Sequence, residues 1–268
     1  MVAPFQNPIV EATDLVARYG DRVVLNGVYL TVQTGSIHVI MGGSGSGKST
    51  LLRHLLGLQK PIQGSIKVLG EDLCGMSRKA LYKLRRNIGV AFQGGALLGS
   101  LTLIENIELP LREHTKLDDA TIGIMSRMKL EMMNLSGFEN YMPSELSGGM
   151  LKRAGLARAV VMDPKLLFFD EPSAGLDPVT SVELDEHILK LREALLMTIV
   201  VVTHELESAF KIADTITVLD DACVIATGTV DEVRNNDDPR IQNMLNRKPR
   251  GSSISQDDYL KRLTGRGE

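Results

Sequence analysis

Apolar positions along this chain follow two periods. Val28, Leu30 and Val32 alternate with other residues, as in a strand with one buried face. Ser36 to Met41 is a short apolar strand that runs straight into glycines. Ser49 to Leu58 then reads as a helix, with Leu51, Leu52, Leu55 and Leu56 on one side. Leu166 to Phe169 and Thr198 to Val202 are unbroken apolar runs of strand length, which predicts strands buried on both faces at the centre of a parallel sheet. Between them Leu184, Ile188, Leu191 and Leu195 recur at helical spacing, with Glu186, Lys190 and Glu193 on other faces, as a crossover helix requires. Thr215 to Thr227 reads as a hairpin turning at Asp220 and Asp221. Strands and helices that alternate in this way make an α/β sheet.

From about Gly94 to Met162 the strand signals vanish and helical spacing dominates, which predicts an inserted helical subdomain. Seven of the 12 methionines fall between Met125 and Met162; methionine fills cores and also lines partner surfaces, core packing being the plainer reading. After Met244 the chain turns polar and basic, a tail over 246–268 expected to be disordered alone or ordered by a partner. The 268 residues, 43% hydrophobic and 24% charged with a net charge of -3, suit a large globular domain. They argue against a nucleic-acid partner, which demands clustered Lys and Arg. The densely basic Arg78, Lys79, Lys83, Arg85 and Arg86 read as a solvated helix face. No apolar run is long enough to cross a bilayer, no secretory signal stands at the start, and Cys74 and Cys223 form no CxxC pair, so a cytoplasmic chain is expected.

Gly42, Gly43, Ser44, Gly45, Ser46, Gly47, Lys48 and Ser49, followed by Thr50, fit GxxxxGK[ST] between a strand and a helix. There backbone amides and the helix N-terminus cradle phosphates, Lys48 reaches the β- and γ-phosphates, and Ser49 is a Mg²⁺ ligand. Lys48 occupies the place of the last glycine of GxGxxG, which disfavours a dinucleotide site. Leu166 to Phe169 deliver Asp170 and Glu171 at a strand's carboxyl end; Asp170 fits a Mg²⁺ role and Glu171 a general base for water. Ser147, Gly148 and Gly149 form a second glycine-rich turn ahead of a helix, a second anion site about a hundred residues away. His114 has no second histidine at metal-ligand spacing.

These motifs resemble the ATP-binding cassette (ABC) ATPases: the P-loop, Gln93 as Q-loop, LSGGM in place of LSGGQ, Asp170 with Glu171, Gly175 to Pro178 as D-loop, and His204 after a strand. The resemblance implies a P-loop NTPase fold with a RecA-like core sheet, an antiparallel β subdomain and the inserted helical subdomain at about 94–162, the cassette spanning 8–245. It implies ATP and Mg²⁺ as cofactors. Tyr19 is then expected to stack on adenine, Gln93 to lie near Mg²⁺ and the attacking water, His204 to contact the γ-phosphate, and Asp177 to lie at a dimer interface. Two ATPs would be sandwiched between the P-loop of one subunit and the signature (Ser147, Gly148, Gly149) of the other. Met150 and Glu205 depart from the usual Gln and Asp; neither is a phosphate ligand.

The chain has no room for long coiled coils or a second cassette, which leaves a transporter subunit. FQGGALL at 92–98, SLTLIEN at 100–106, PLREHT at 110–115 and PSELSGGMLKR at 143–153 resemble the ATPases of MCE-type (Mla) phospholipid-trafficking transporters of Gram-negative bacteria. That resemblance implies a homodimer at the cytoplasmic face of the inner membrane, held there by an integral-membrane permease dimer. Its other partners would be a periplasmic MCE-domain protein and a small cytoplasmic STAS-domain protein, meeting the helical insertion around Arg112, Glu113, His114 and the Met-rich segment. The alternatives are the ATPase of a small-solute importer and a soluble ABC ATPase without a permease.

Overall fold

The computed structural model describes residues 8–247. Apart from Asn246 and Arg247, the polar tail therefore lies outside the described residues. Two sheets organise the chain. Strands β1 (Pro8–Tyr19), β2 (Arg22–Gln33), β4 (Gln63–Val68) and β5 (Glu71–Asp72) form an antiparallel sheet in the order β2-β1-β4-β5. The larger sheet has the order β10-β9-β3-β8-β7-β6, built from β3 (Ile37–Gly42), β6 (Ile88–Ala91), β7 (Leu166–Asp170), β8 (Thr198–Thr203), β9 (Thr215–Asp220) and β10 (Cys223–Gly228). All its pairings are parallel except β9 with β10.

Every residue of β3 and β8 is buried, as are Leu166 to Phe169 of β7. Because side chains alternate along a strand, neighbours feed different cores. Phe168, Ile40, Val200 and Val202 pack with the leucines of α1 (Lys48–Leu55) and the antiparallel sheet. Phe169, Val39, Met41, Ile199 and Val201 pack on the opposite face, with Leu184, Ile188 and Leu191 of the crossover helix α6 (Pro178–Leu195).

Two ends differ from the sequence expectation. The helix read as Ser49 to Leu58 closes at Leu55, because Gly57 takes a left-handed φ of 64° and the amides of Gly57 and Leu58 bond back to the carbonyls of His54 and Arg53 at 2.9 Å each. The hairpin turns at Asp221 and Ala222, both left-handed, between paired Asp220 and Cys223.

The helical block fills the connection between adjacent parallel strands β6 and β7. It comprises α3 (Leu103–His114), α4 (Asp119–Met132), a single 3₁₀ turn at Pro143–Glu145 and α5 (Gly148–Ala159), while α2 (Arg78–Arg85) precedes β6. Thr102, Asp118 and Ser147 cap α3, α4 and α5 through their side-chain oxygens. Of its methionines, Met133 is buried, Met125, Met132, Met150 and Met162 pack against the core, and Met128 is 58% exposed.

Fully buried Asn106 is the knot of this block. Its Oδ1 accepts from the Leu98 amide at 2.7 Å, and its Nδ2 donates to the carbonyls of Leu98, Leu101 and Thr102 at 3.1, 3.1 and 2.9 Å. The loop beyond Gln93 is thus held by this amide side chain together with Arg158, which donates to the Gly95 carbonyl at 3.2 Å. Asn106→Ala should cost at least about 3 kcal/mol in denaturant unfolding, since several buried backbone groups lose their partners together; a loss under about 1 kcal/mol would contradict this.

A second buried polar group sits in β3. His38 meets Thr217 Oγ1 at 2.9 Å, and burial pushes its pKa down from 6.5 to about 4. As pH falls below 6.5 the unfolded chain takes up a proton that the folded chain refuses until about 4, so stability drops through that window. His38→Gln should shrink the loss of unfolding free energy between pH 7 and 4 by about 3 kcal/mol; parallel curves for the two proteins would refute it.

Candidate nucleotide site

Glycine geometry shapes the loop between β3 and α1. A Cβ on Gly42 would stand 2.3 Å from the Leu219 carbonyl oxygen, and one on Gly47 would stand 2.6 Å from the Val24 carbonyl oxygen, with left-handed φ at Gly47. No larger residue fits either position. Lys48, Ser49 and Thr50 begin α1, so the amides of this first turn and the helix dipole face the loop. Lys48 is buried, and its ammonium donates to the carbonyls of Gly42 at 2.8 Å and Gly43 at 3.1 Å. Ser46 Oγ is buried with no hydrogen-bond partner, a donor waiting for an acceptor in this loop.

A cleft of about 310 Å³ opens against the loop, lined by Tyr19, Arg22, Val24, Gly45, Ser46, Gly47, Lys48, Ser49 and Thr50. Tyr19, from the end of β1, is 46% exposed at its mouth. Its hydroxyl donates to Gln59 Oε1 at 2.9 Å and accepts from Arg53 at 3.4 Å, and the Arg53 bond is the main cause that lowers its pKa. A ring held by its far end can present its face to a planar base. Arg22 and Val24 are lining residues that the motifs do not single out; only the pairing of β2 with β1 brings them here.

Parallel register collects the remaining groups on one sheet edge. Asp170 pairs with Val202 one residue before Thr203, and Ala91 pairs with Phe169, which sets Gln93 beyond the end of β6 in an exposed loop. Asp170 has its pKa raised chiefly by burial and next by the charge of Glu171, with Lys48 and Arg53 pulling the other way. A half-buried carboxylate whose ionisation is penalised, near enough to Lys48 of the phosphate cradle to feel its charge, is a fitting oxygen donor for Mg²⁺ alongside the Ser49 hydroxyl of that cradle.

Glu171 is 15% exposed, and its backbone takes a left-handed φ of 50°. Its Oε2 receives three donors: His204 Nδ1 at 2.8 Å, Thr203 Oγ1 at 3.3 Å and the His204 amide at 3.4 Å. Buried Thr203 in turn accepts from the Glu205 amide at 3.0 Å. No motif marks Thr203; parallel pairing of β7 with β8 puts it there.

The second glycine-rich turn lies elsewhere. Ser147 caps α5 and accepts from the Met150 amide at 3.3 Å, while Asp177 caps α6 and accepts from the Val179 and Thr180 amides and the Thr180 hydroxyl. A Cβ on Gly149 would meet Thr180 Cγ2 at 2.6 Å, so the start of α5 leans on the start of α6. Neither Ser147, Gly148 nor Gly149 lines the cleft at the P-loop. Sequence reasoning also passed over Lys152, which is 7% exposed and donates to the carbonyls of Pro172 at 2.7 Å and Ala174. A signal existed: Lys152 stands at helical spacing from Gly149, Gly155 and Leu156, all buried.

A profile of the ABC transporter family matches residues 25–174. The intermembrane phospholipid transport system ATP-binding protein MlaF of Haemophilus influenzae is 40% identical over 258 residues, covering 95% of this chain and 98% of that protein. The probable ribonucleotide transport ATP-binding protein mkl of Mycobacterium tuberculosis is 38% identical over 93% of this chain and 70% of its own length. The dimeric structure of the ATP-binding cassette MJ0796 in a post-hydrolysis state with ADP and Pi has a TM-score of 0.75 and 31% identity, covering 82% of this chain and 98% of that one. The profile spans more than half of this chain and the MlaF match nearly all of it, and on that breadth the chain belongs to the ABC transporter family of ATP-binding proteins.

Proposed function

We propose that this chain is the ATP-hydrolysing subunit of a phospholipid transport system and works as a homodimer beneath a membrane permease. One geometric observation supports the dimer: the chain has two glycine-rich helix starts, and the second, at Ser147 to Gly149, does not line the cleft that the first one forms. A second copy brings its signature to that cleft. Similarity to MlaF along nearly the full length of both chains supports phospholipid as the cargo; mkl, named for ribonucleotide transport, is matched over only 70% of its length. No described helix is long and apolar enough to cross a membrane, so coupling to transport falls to a permease, with attachment at the inner membrane through it. An MCE-domain protein and a small STAS-domain protein complete the assembly in this reading.

In the proposed reaction adenine stacks on Tyr19 while the amides of Gly42 to Ser49 wrap the phosphates. Lys48 exchanges the Gly42 and Gly43 carbonyls for β- and γ-phosphate oxygens, and Ser46 gains the acceptor it lacks. Ser49 and Asp170, with Gln93 nearby, would hold Mg²⁺, which neutralises charge on the β- and γ-phosphates. The donors to Glu171 all fall on Oε2, which leaves Oε1 to take the proton of the attacking water. His204 supports that carboxylate and stands at the γ-phosphate end, while Asp177 and the signature of the opposite subunit close the site.

Purified with its permease in lipid, the chain should hydrolyse ATP, and Glu171→Gln should bind ATP with near-native affinity while losing at least about a hundredfold in turnover. Lys48→Ala should instead weaken ATP binding, by roughly tenfold to a hundredfold. Undiminished hydrolysis by the Glu171 variant would remove it as the base. Co-purification tests the cargo: MCE- and STAS-domain partners are expected, and a permease that arrives without them would overturn the phospholipid reading.

A further inference from the structure

Lys152 is an unusual residue on physical grounds. Its ammonium is buried in α5, four residues after the start of that helix, and forms no ion pair among the described residues. A buried charge is costly unless strong hydrogen bonds offset its lost hydration, and a methionine would fill the same space without that cost. The partners Lys152 does have are backbone carbonyls of Pro172 and Ala174, in the turn between Glu171 and Asp177. Within that turn the Ala174 amide reaches the Glu171 carbonyl at 3.4 Å and the Leu176 amide reaches the Ser173 carbonyl at 3.1 Å. The signature helix and this turn also touch a second time, where Gly149 allows Thr180 close approach and Thr180 is bonded to Asp177. Burial lowers the pKa of Lys152 and the nearby negative charge of Glu171 opposes that shift, so the ammonium and the carboxylate sense each other.

We propose that Lys152 is a positioning residue that fastens the signature helix to the turn carrying Glu171, so that a phosphate gripped by the signature at one nucleotide site sets the catalytic carboxylate of the other. The inference rests on the sandwich-dimer reading above and adds to it a specific mechanical link within each chain. When Ser147 to Gly149 close on the partner subunit's ATP, α5 shifts, and the two charge-assisted bonds of Lys152 carry the shift to Pro172 and Ala174, next to Glu171 in sequence. Without the ammonium, the contact of Gly149 with Thr180 still joins the helix to the turn, but the coupling between them weakens. ATP binding at the P-loop is untouched, because Lys152 does not line that cleft.

The full chain in complex with its permease is the system to test, with Lys152→Met to remove the donors at equal length, Lys152→Arg to keep charge and donors, and Lys152→Gln should the Met variant fold poorly. In Lys152→Met, kcat is expected to fall at least about tenfold while KM for ATP stays within about twofold. The Hill coefficient for ATP should drop from near 2 toward about 1. Amide hydrogen exchange should quicken across residues 173–177, and Lys152→Arg should restore most of the turnover and cooperativity. A Lys152→Met enzyme with native kcat, or one that loses kcat yet keeps native cooperativity and exchange, overturns the proposal. Failure of the underlying reading looks different: the wild-type complex itself would then show no cooperativity, or Glu171→Gln would still turn over.

Discussion

Three strands that admit no water to their side chains govern this protein. β3 and β8 are buried along their whole length and β7 along all but its last residue, so none of them has room for a polar group that is not needed or paired. Chemistry can only appear where these strands end. Because they run parallel, all three end on the same edge, and Gly42, Asp170 and Thr203 come together there although well over a hundred residues separate the first from the last. The P-loop, the acid pair and His204 are thus consequences of one packing constraint, two cores separated by an apolar sheet.

Charges at that edge are provisionally housed. Lys48 lies on the carbonyls of its own loop and Glu171 is held by His204 and Thr203, while away from that edge Ser147 and Asp177 spend their oxygens on helix caps. Each arrangement satisfies the polar group at short range and asks little of the rest of the fold. Each is also exchangeable, since a phosphate oxygen is a better partner for an ammonium than a carbonyl is. Asp170 is the exception: burial and the neighbouring Glu171 disfavour its charge, and only Lys48 and Arg53 compensate. In the proposed reaction a cation arriving with nucleotide would relieve that penalty and so tie the energetics of the acid pair to occupancy of the cradle beside it.

How much of this was legible in the chain follows from how local each signal is. The P-loop, the apolar runs of β7 and β8 and the period of α6 are encoded in consecutive residues, and so could be read directly. Ends were less legible. Gly57 stops α1 through a left-handed turn that periodicity does not register, and the hairpin loop slips by one residue because Asp and Ala share the left-handed positions usually given to glycine or asparagine. Partners supplied by tertiary register stayed hidden: Thr203 beneath Glu171, Arg22 and Val24 across the P-loop, Asn106 holding the loop after Gln93, and Lys152 reaching Pro172. Of the Met-rich stretch, composition could not say which methionines face out, and packing leaves Met128 the exposed one among those of α4.

The left-handed backbone at Glu171 follows from the same strand geometry. Successive side chains of a strand point to opposite faces: Phe168 joins the core on the α1 side and Phe169 the core on the other. Continued as a strand, Asp170 would turn back toward α1 and Lys48 while Glu171 would point to the far face, and two adjacent carboxylates could not serve one reaction centre. Breaking the strand at Glu171, with φ near 50°, frees the second carboxylate from that alternation. The backbone amide at the break is still satisfied by the Val202 carbonyl at 2.8 Å, so the turn costs conformational strain, of order 1 to 3 kcal/mol, and no hydrogen bond. Strain of that size persists only where surrounding structure holds it, and here β8 supplies both the carbonyl that takes the amide and, through Thr203 and the adjoining His204, the donors that take the carboxylate.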